Sequence, residues 1–204
     1  MRYRPDQKES TRAKILSAAG RGFRRRGFGG VGVDELAKEA GVTSGAFYGH
    51  FGSKGEAFGA AALSGIVELR QAIEGFKIEH GGAWLDRFVD FYLSTKRTCE
   101  LGESCGLQTL TPEVARSSGE LKAAYEMELL RVVDATATGL PGKTPVARRK
   151  LAWGVLAILS GGVTLARAVN DPKVSAQIAV ALKATIDGLF SAASAAGRAR
   201  AQRG

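Results

Sequence analysis

Between Val33 and Phe51 two short apolar-periodic runs flank Gly41-Val42-Thr43, and this spacing constrains the fold more than any other feature. In the first run Leu36, Ala37 and Ala40 form a buried side. Asp34 and Glu35 stand in its first turn, where negative charge suits the helix dipole. Gly41 ends that helix. Thr43 is placed to cap a second helix, Ser44 to Phe51, by accepting a hydrogen bond from a free backbone N–H. Phe47 and Phe51, four apart, point into a core, while Ser44 and Tyr48 share a neighbouring face. Helix, short Gly-containing turn, helix is the helix-turn-helix unit, whose second helix enters the DNA major groove.

The rest of the chain reads as helix. Ala, Leu, Glu, Lys and Arg dominate, strand-like alternation is scarce, and the expected class is all-α. A first helix over Glu9–Arg26 carries Ile15, Leu16, Ala19 and Phe23 on one stripe. Arg24, Arg25 and Arg26 fill its last turn as a solvated face, and Gly27 ends it. Gly29, Gly30 and Gly32 form a connector. A long helix over Lys54–Glu79 links the N-terminal head to a helical body, weakened by Gly59, Gly65 and Gly75. Further helices run over Ala83–Cys99, Gly119–Gly139 and Val146–Val169, and from Pro172 onward. The expected division is 1–53 (head), 54–197 (body) and 198–204 (a basic, fraying tail).

Charge agrees with a small nucleic-acid module on a larger body. The chain has 204 residues and a formal charge of +9; residues 1–54 hold eleven basic and five acidic side chains, two-thirds of the excess. Such a footprint suits phosphate binding. The most apolar stretch, Leu151–Ala166, is 16 residues long and interrupted by Ser160, Gly161, Gly162 and Thr164, short of a membrane span. The N-terminus lacks the apolar run of a secretory signal, and two cysteines make no disulfide framework. A cytoplasmic location is the expectation, with no membrane partner. Two Cys and two scattered His lack metal-ligand spacing, so no metal and no cofactor are expected. Neither a nucleophile–base pair nor a Gly-rich phosphate loop is visible, so the chain is not expected to be an enzyme.

The string from Leu36 to Glu56, LAKEAGVTSGAFYGHFGSKGE, closely resembles the signature of TetR-family transcriptional regulators. The resemblance implies an N-terminal three-helix DNA-binding head and a helical ligand-binding and dimerisation body. It implies DNA contacts from Thr43, Ser44 and Gly45 at the start of the recognition helix, from Tyr48 and His50, and from Lys54 at the start of the fourth helix. The chain departs from the family at Gly32, where a Ser or Thr often stands. Its recognition helix is rich in small residues, so base readout is expected to be sparse. Arg2, Arg4 and Lys8 are candidate minor-groove contacts.

The final two helices are apolar enough to need a partner, and the resemblance implies a homodimer built on them. The small residues in Leu159–Gly162 suit close approach. Such a dimer would read a palindromic double-stranded operator as a repressor. A small-molecule effector would release it, with Trp84, Phe88, Phe91, Tyr92, Leu107, Leu110, Tyr125 and Trp153 as candidate pocket lining. The same residues also read as plain core. The region from Tyr92 to Arg116 resembles a branch of the family that contains NemR-like cysteine-bearing repressors. There Cys105 matches a sensor thiol, although Ser104 replaces the usual Gly. A thiol switch at Cys105 is therefore an alternative, and a packed structural cysteine is another. From a different class, a small helical enzyme or a scaffold without DNA binding also fits.

Overall fold

The computed structural model describes residues 5–201, with side chains described for 7–191. Among these residues every regular element is helical: α1 Pro5–Gly30, α2 Val33–Ala40, α3 Ser44–His50, α4 Lys54–His80, α5 Trp84–Phe91, α6 Gly106–Thr109, α7 Thr111–Val114, α8 Gly119–Ala137, α9 Pro145–Ala168 and α10 Pro172–Ala201. A π turn, Tyr92–Lys96, follows α5. Arg2, Arg4, Arg203 and the side chains of Arg198 and Arg200 lie outside the described residues, while the helical backbone of α10 continues to Ala201.

The chain forms two compact units. One joins residues 1–67 to 100–126, and the other joins 68–99 to 127–204. Compactness therefore divides the chain differently from a head-and-body cut after residue 53, because α4 and α8 each contribute to both units.

In the first unit Ile15, Leu36, Phe47 and Phe51 are fully buried. Each such side chain contributes about 1.5–3 kcal/mol of transfer free energy. Phe23 meets Phe58 edge to face at 5.3 Å. Helical geometry in α1 breaks at Gly27, whose φ of 71° suits glycine. Phe28–Gly30 then return to helix, so Gly29 and Gly30 are not the loose connector expected. The break has a second cause. A Cβ at Gly27 would stand 2.7 Å from Glu113 Oε1, the atom that accepts the Phe28 N–H.

The arginine run at 24–26 is engaged rather than merely solvated. Arg25 pairs with Glu39 and Glu100, and Arg26 with Glu35. The Arg25 hydrogen bond holds the Glu100 carboxyl below its usual range. Backbones cross closely at Gly65 of α4 and Gly106 of α6: a Cβ on Gly106 would lie 2.9 Å from Gly65 Cα. A Cβ at Gly59 would meet the Leu121 side chain at 3.3 Å. No comparable neighbour explains Gly75.

In the second unit Phe88 packs on Phe76 and Tyr92. Lys77 donates to the carbonyls of Ala135 and Thr138 at the end of α8, and its ammonium lies 4.7 Å from the Trp84 ring centre. Burial lowers the Lys77 pKa. Arg167 donates to the carbonyls of Lys96, Arg97 and Cys99, satisfying groups left over where the α5 segment ends.

α9 runs unbroken, as its sequence leads one to expect, but it departs from expectation in one respect: its 24 residues are long and apolar enough to cross a membrane by length and composition. Its buried face packs in a protein core, with Leu159 almost fully covered. Gly162 also has an intrachain purpose, since a Cβ there would collide with Leu182 of α10. Its small size therefore serves α9–α10 packing within one chain.

Candidate nucleic-acid interface

The α2–α3 turn is built as its residue types demand. Gly41 is left-handed at φ 70° and donates to the Ala37 and Lys38 carbonyls, closing α2. Thr43 caps α3, its hydroxyl accepting the Ala46 N–H at 3.1 Å. Gly32 caps α2 without a side-chain hydrogen bond, as its lack of a hydroxyl requires. Phe47 is buried and Tyr48, its neighbour in sequence, is 53% exposed with its ring edge-on to Phe47 at 5.7 Å.

Thr43 and Gly45 are exposed at the start of α3. Ser44 is half-buried, and its hydroxyl donates to Asp34 at 2.5 Å. That bond joins the two helices of the motif and occupies the hydroxyl proton, which the spacing of the motif did not reveal. His50 is half-buried, with Nδ1 sealed from water and without a hydrogen-bond partner among the described residues. A cleft of about 630 Å³ is bordered by Lys8, Thr11 and Lys14 of α1 and by Thr43, Gly49 and His50. No acidic residue borders it among the described residues.

Lys54 opens α4, and its ammonium lies 4.6 Å from the centre of the Phe28 ring. Ser53 and Glu56 cap the same helix: Ser53 accepts the Glu56 N–H, and Glu56 accepts the Gly52 N–H. The lysine thus stands at a firmly fixed helix start. Phe28 and Arg12, whose guanidinium lies 4.6 Å from the Phe51 ring centre, are neighbours of this surface that sequence reasoning missed. For Arg12 the available signal was its place between Lys8 and Lys14; nothing local marks Phe28.

The candidate effector residues fall in both compact units. Leu107, Leu110 and Tyr125 belong to the first; Trp84, Phe88, Phe91, Tyr92 and Trp153 belong to the second. Leu110, Phe88 and Tyr92 are buried, whereas Trp153 is 42% exposed on α9. Tyr125 hydrogen-bonds Thr111 at 2.5 Å, and its burial pushes its pKa up to about 12. Cys105 is buried at the start of α6, a helix of four residues. Cys99 is half-buried beside Arg167.

Comparison with known proteins agrees with this geometry. Residues 15–61 match the family model for bacterial regulatory proteins of the TetR family. The chain is 34% identical over 127 residues to the transcriptional repressor NemR of Escherichia coli K12, covering 57% of this chain and 60% of NemR. It is 26% identical over 132 residues to the repressor SCO4008 of Streptomyces coelicolor, covering 65% and 68%. The solved reduced form of E. coli NemR superposes with a TM-score of 0.70 at 21% identity, over 88% of this chain and 96% of that one. A TetR-family regulator from Mesorhizobium loti gives 0.69 at 16% identity, over 91% and 98%. Both curated relatives are named as transcriptional repressors. Residues 15–61 thus match the N-terminal domain of TetR-family regulators, and the described residues share the helical fold of solved regulators of that family.

Proposed function

We propose that the chain is a homodimeric, cytoplasmic transcriptional repressor that binds a palindromic operator and leaves it when a small-molecule effector binds. The observation that carries the reading is the exposed face of α3. Thr43, Gly45 and Tyr48 stand open on it, beside a cleft that Lys8 and Lys14 make basic. Lysines neutralise phosphates and release counterions, while the small, exposed residues of α3 allow close approach to the groove. His50 and Lys54 complete the proposed contact set, with Ser44 acting from its bond to Asp34.

Two helices support a second copy as partner. Trp153 and Leu165 of α9 and Val180 of α10 are 42%, 64% and 71% exposed. A two-against-two helix bundle would cover them. The two heads would then read half-sites about 34–36 Å apart, or a multiple of that. Release follows a population shift, in which the effector favours a conformation with the wrong half-site spacing, coupled through α4.

A thiol switch at Cys105 is the second reading, supported by the likeness to NemR. Cys105→Ser separates the two: loss of electrophile response with effector response retained supports a thiol switch beside the effector site. The test of the main reading is a mobility-shift titration on DNA upstream of the protein's own coding sequence, at about 50 and 200 mM salt. Binding that weakens steeply with salt supports it. No binding at the lower salt, there and in a random duplex library, rejects it.

A further inference from the structure

A second cleft in the first unit has the opposite character. It encloses about 800 Å³ and is bordered by Phe28, Phe58, Leu63 and Leu121 on its apolar sides. Its charged border holds Glu56, Glu113 and Glu120 against Arg116 alone. This acidic excess sits in a chain whose net charge is +9. Volume and lining match those of small-molecule sites, which are largely apolar with a few fixed polar groups.

Glu113 is the unusual member. Its Oε1 accepts the Phe28 N–H at 2.6 Å, and its Oε2 is sealed from water with no hydrogen-bond partner among the described residues. A carboxylate oxygen so placed is poorly compensated, and a positive charge brought into the cleft would offset it. Phe28 and Phe58 meet edge to face at 5.4 Å and offer aromatic surface to the same charge.

We infer that this cleft is a site for a hydrophobic organic cation, with the Glu113 carboxylate as its electrostatic anchor and Phe28 as its sensor. Phe28 is the link to DNA. It borders the cleft, donates its backbone N–H to Glu113, and carries the Lys54 ammonium over its ring. An occupant that shifts Phe28 displaces Lys54 from the helix start where DNA is proposed to dock. The cation site itself stands independently of the repressor reading; only its effect on DNA rests on it.

The test uses calorimetry on the full chain with two probes of nearly equal shape and opposite charge, tetraphenylphosphonium and tetraphenylborate. The basic protein as a whole favours the borate, so a preference for the phosphonium is local. The phosphonium should bind at least tenfold more tightly. Glu113→Gln retains the acceptor for Phe28 and should weaken phosphonium binding at least fivefold. Arg116→Glu, on the rim, should strengthen it. Equal binding of the two probes, or indifference to both substitutions, overturns the site. In a second arm the phosphonium should lower affinity for a duplex selected from a random library at least tenfold, in the unaltered protein and not in Glu113→Gln. Cation binding without that effect overturns the Phe28 coupling. Failure to select any duplex rejects the repressor reading, and the calorimetry still decides the site.

Discussion

The cleft beside α3 and the cleft beside Phe28 belong to one compact unit, and they are bordered by opposite charges. Lys8, Lys14 and His50 border the first, while three carboxylates and one guanidinium border the second. The difference shows that the excess of positive charge is placed rather than spread. Much of the remaining positive charge in α1 is absorbed by its own neighbours, as Arg21 and Arg25 pair with Glu39 and Arg26 with Glu35. What is left exposed at Lys8, Arg12 and Lys14 is the charge available to phosphates.

The comparison breaks most easily at the basic cleft. Reversing Lys8 and Lys14 together to Glu should lower DNA affinity about a hundredfold or more near 0.1 M salt, because each reversal replaces a phosphate contact by repulsion. The melting temperature should stay within a few degrees, since both side chains are exposed. An unchanged affinity, read by fluorescence anisotropy, would remove the cleft from the interface.

The acidic cleft is tested next through its anchor. Gly27→Ala places a Cβ where Glu113 now stands and forces an alanine into left-handed geometry. A loss of about 1–3 kcal/mol of stability is expected in thermal unfolding. Gly29→Ala, with nothing within 4 Å and no positive φ, should cost far less. Equal losses in the two variants would deny the Gly27–Glu113 contact its structural role.

Tyr125, buried in the same unit, gives the next test. Its folded pKa of about 12 lies above the usual 10, so the folded state resists its ionisation. The sign follows: this contribution is fully present below pH 10 and is lost as pH rises toward about 12. The loss amounts to about 2–3 kcal/mol at 1.36 kcal/mol per unit. Tyr125→Phe should flatten that part of the stability profile, and an unaltered alkaline slope would contradict the burial argument.

The smallest effect is at the link between the clefts. Lys54→Ala should reduce the salt slope of DNA binding by about 1 and weaken all sequences alike. It should leave cation affinity within a few-fold.

Much of the N-terminal motif is legible in the residues alone. The Gly41 turn, the Thr43 cap and the inward Phe47 and Phe51 all follow from local spacing, and local spacing is what short helices obey. The acidic cleft is not legible there, because Phe28 and Glu113 meet across 85 residues and neither is unusual where it stands. The glycines teach the same lesson. Gly65 and Gly162 read as helix-weakening or as interface-forming, yet their reasons are Gly106 and Leu182, distant partners within the chain. On α9, apolar nearly all round, periodicity does not separate the covered Leu159 from the open Trp153 and Leu165.

The central claim is that the α3 face and its basic cleft bind DNA through phosphates. Fluorescence anisotropy of the selected duplex between about 50 and 200 mM salt tests it most directly. The account predicts that log affinity falls linearly with log salt, with a shallower slope for Lys14→Ala and an unchanged one for Glu113→Gln. A slope near zero, or one that Glu113→Gln alters and Lys14→Ala does not, would contradict it.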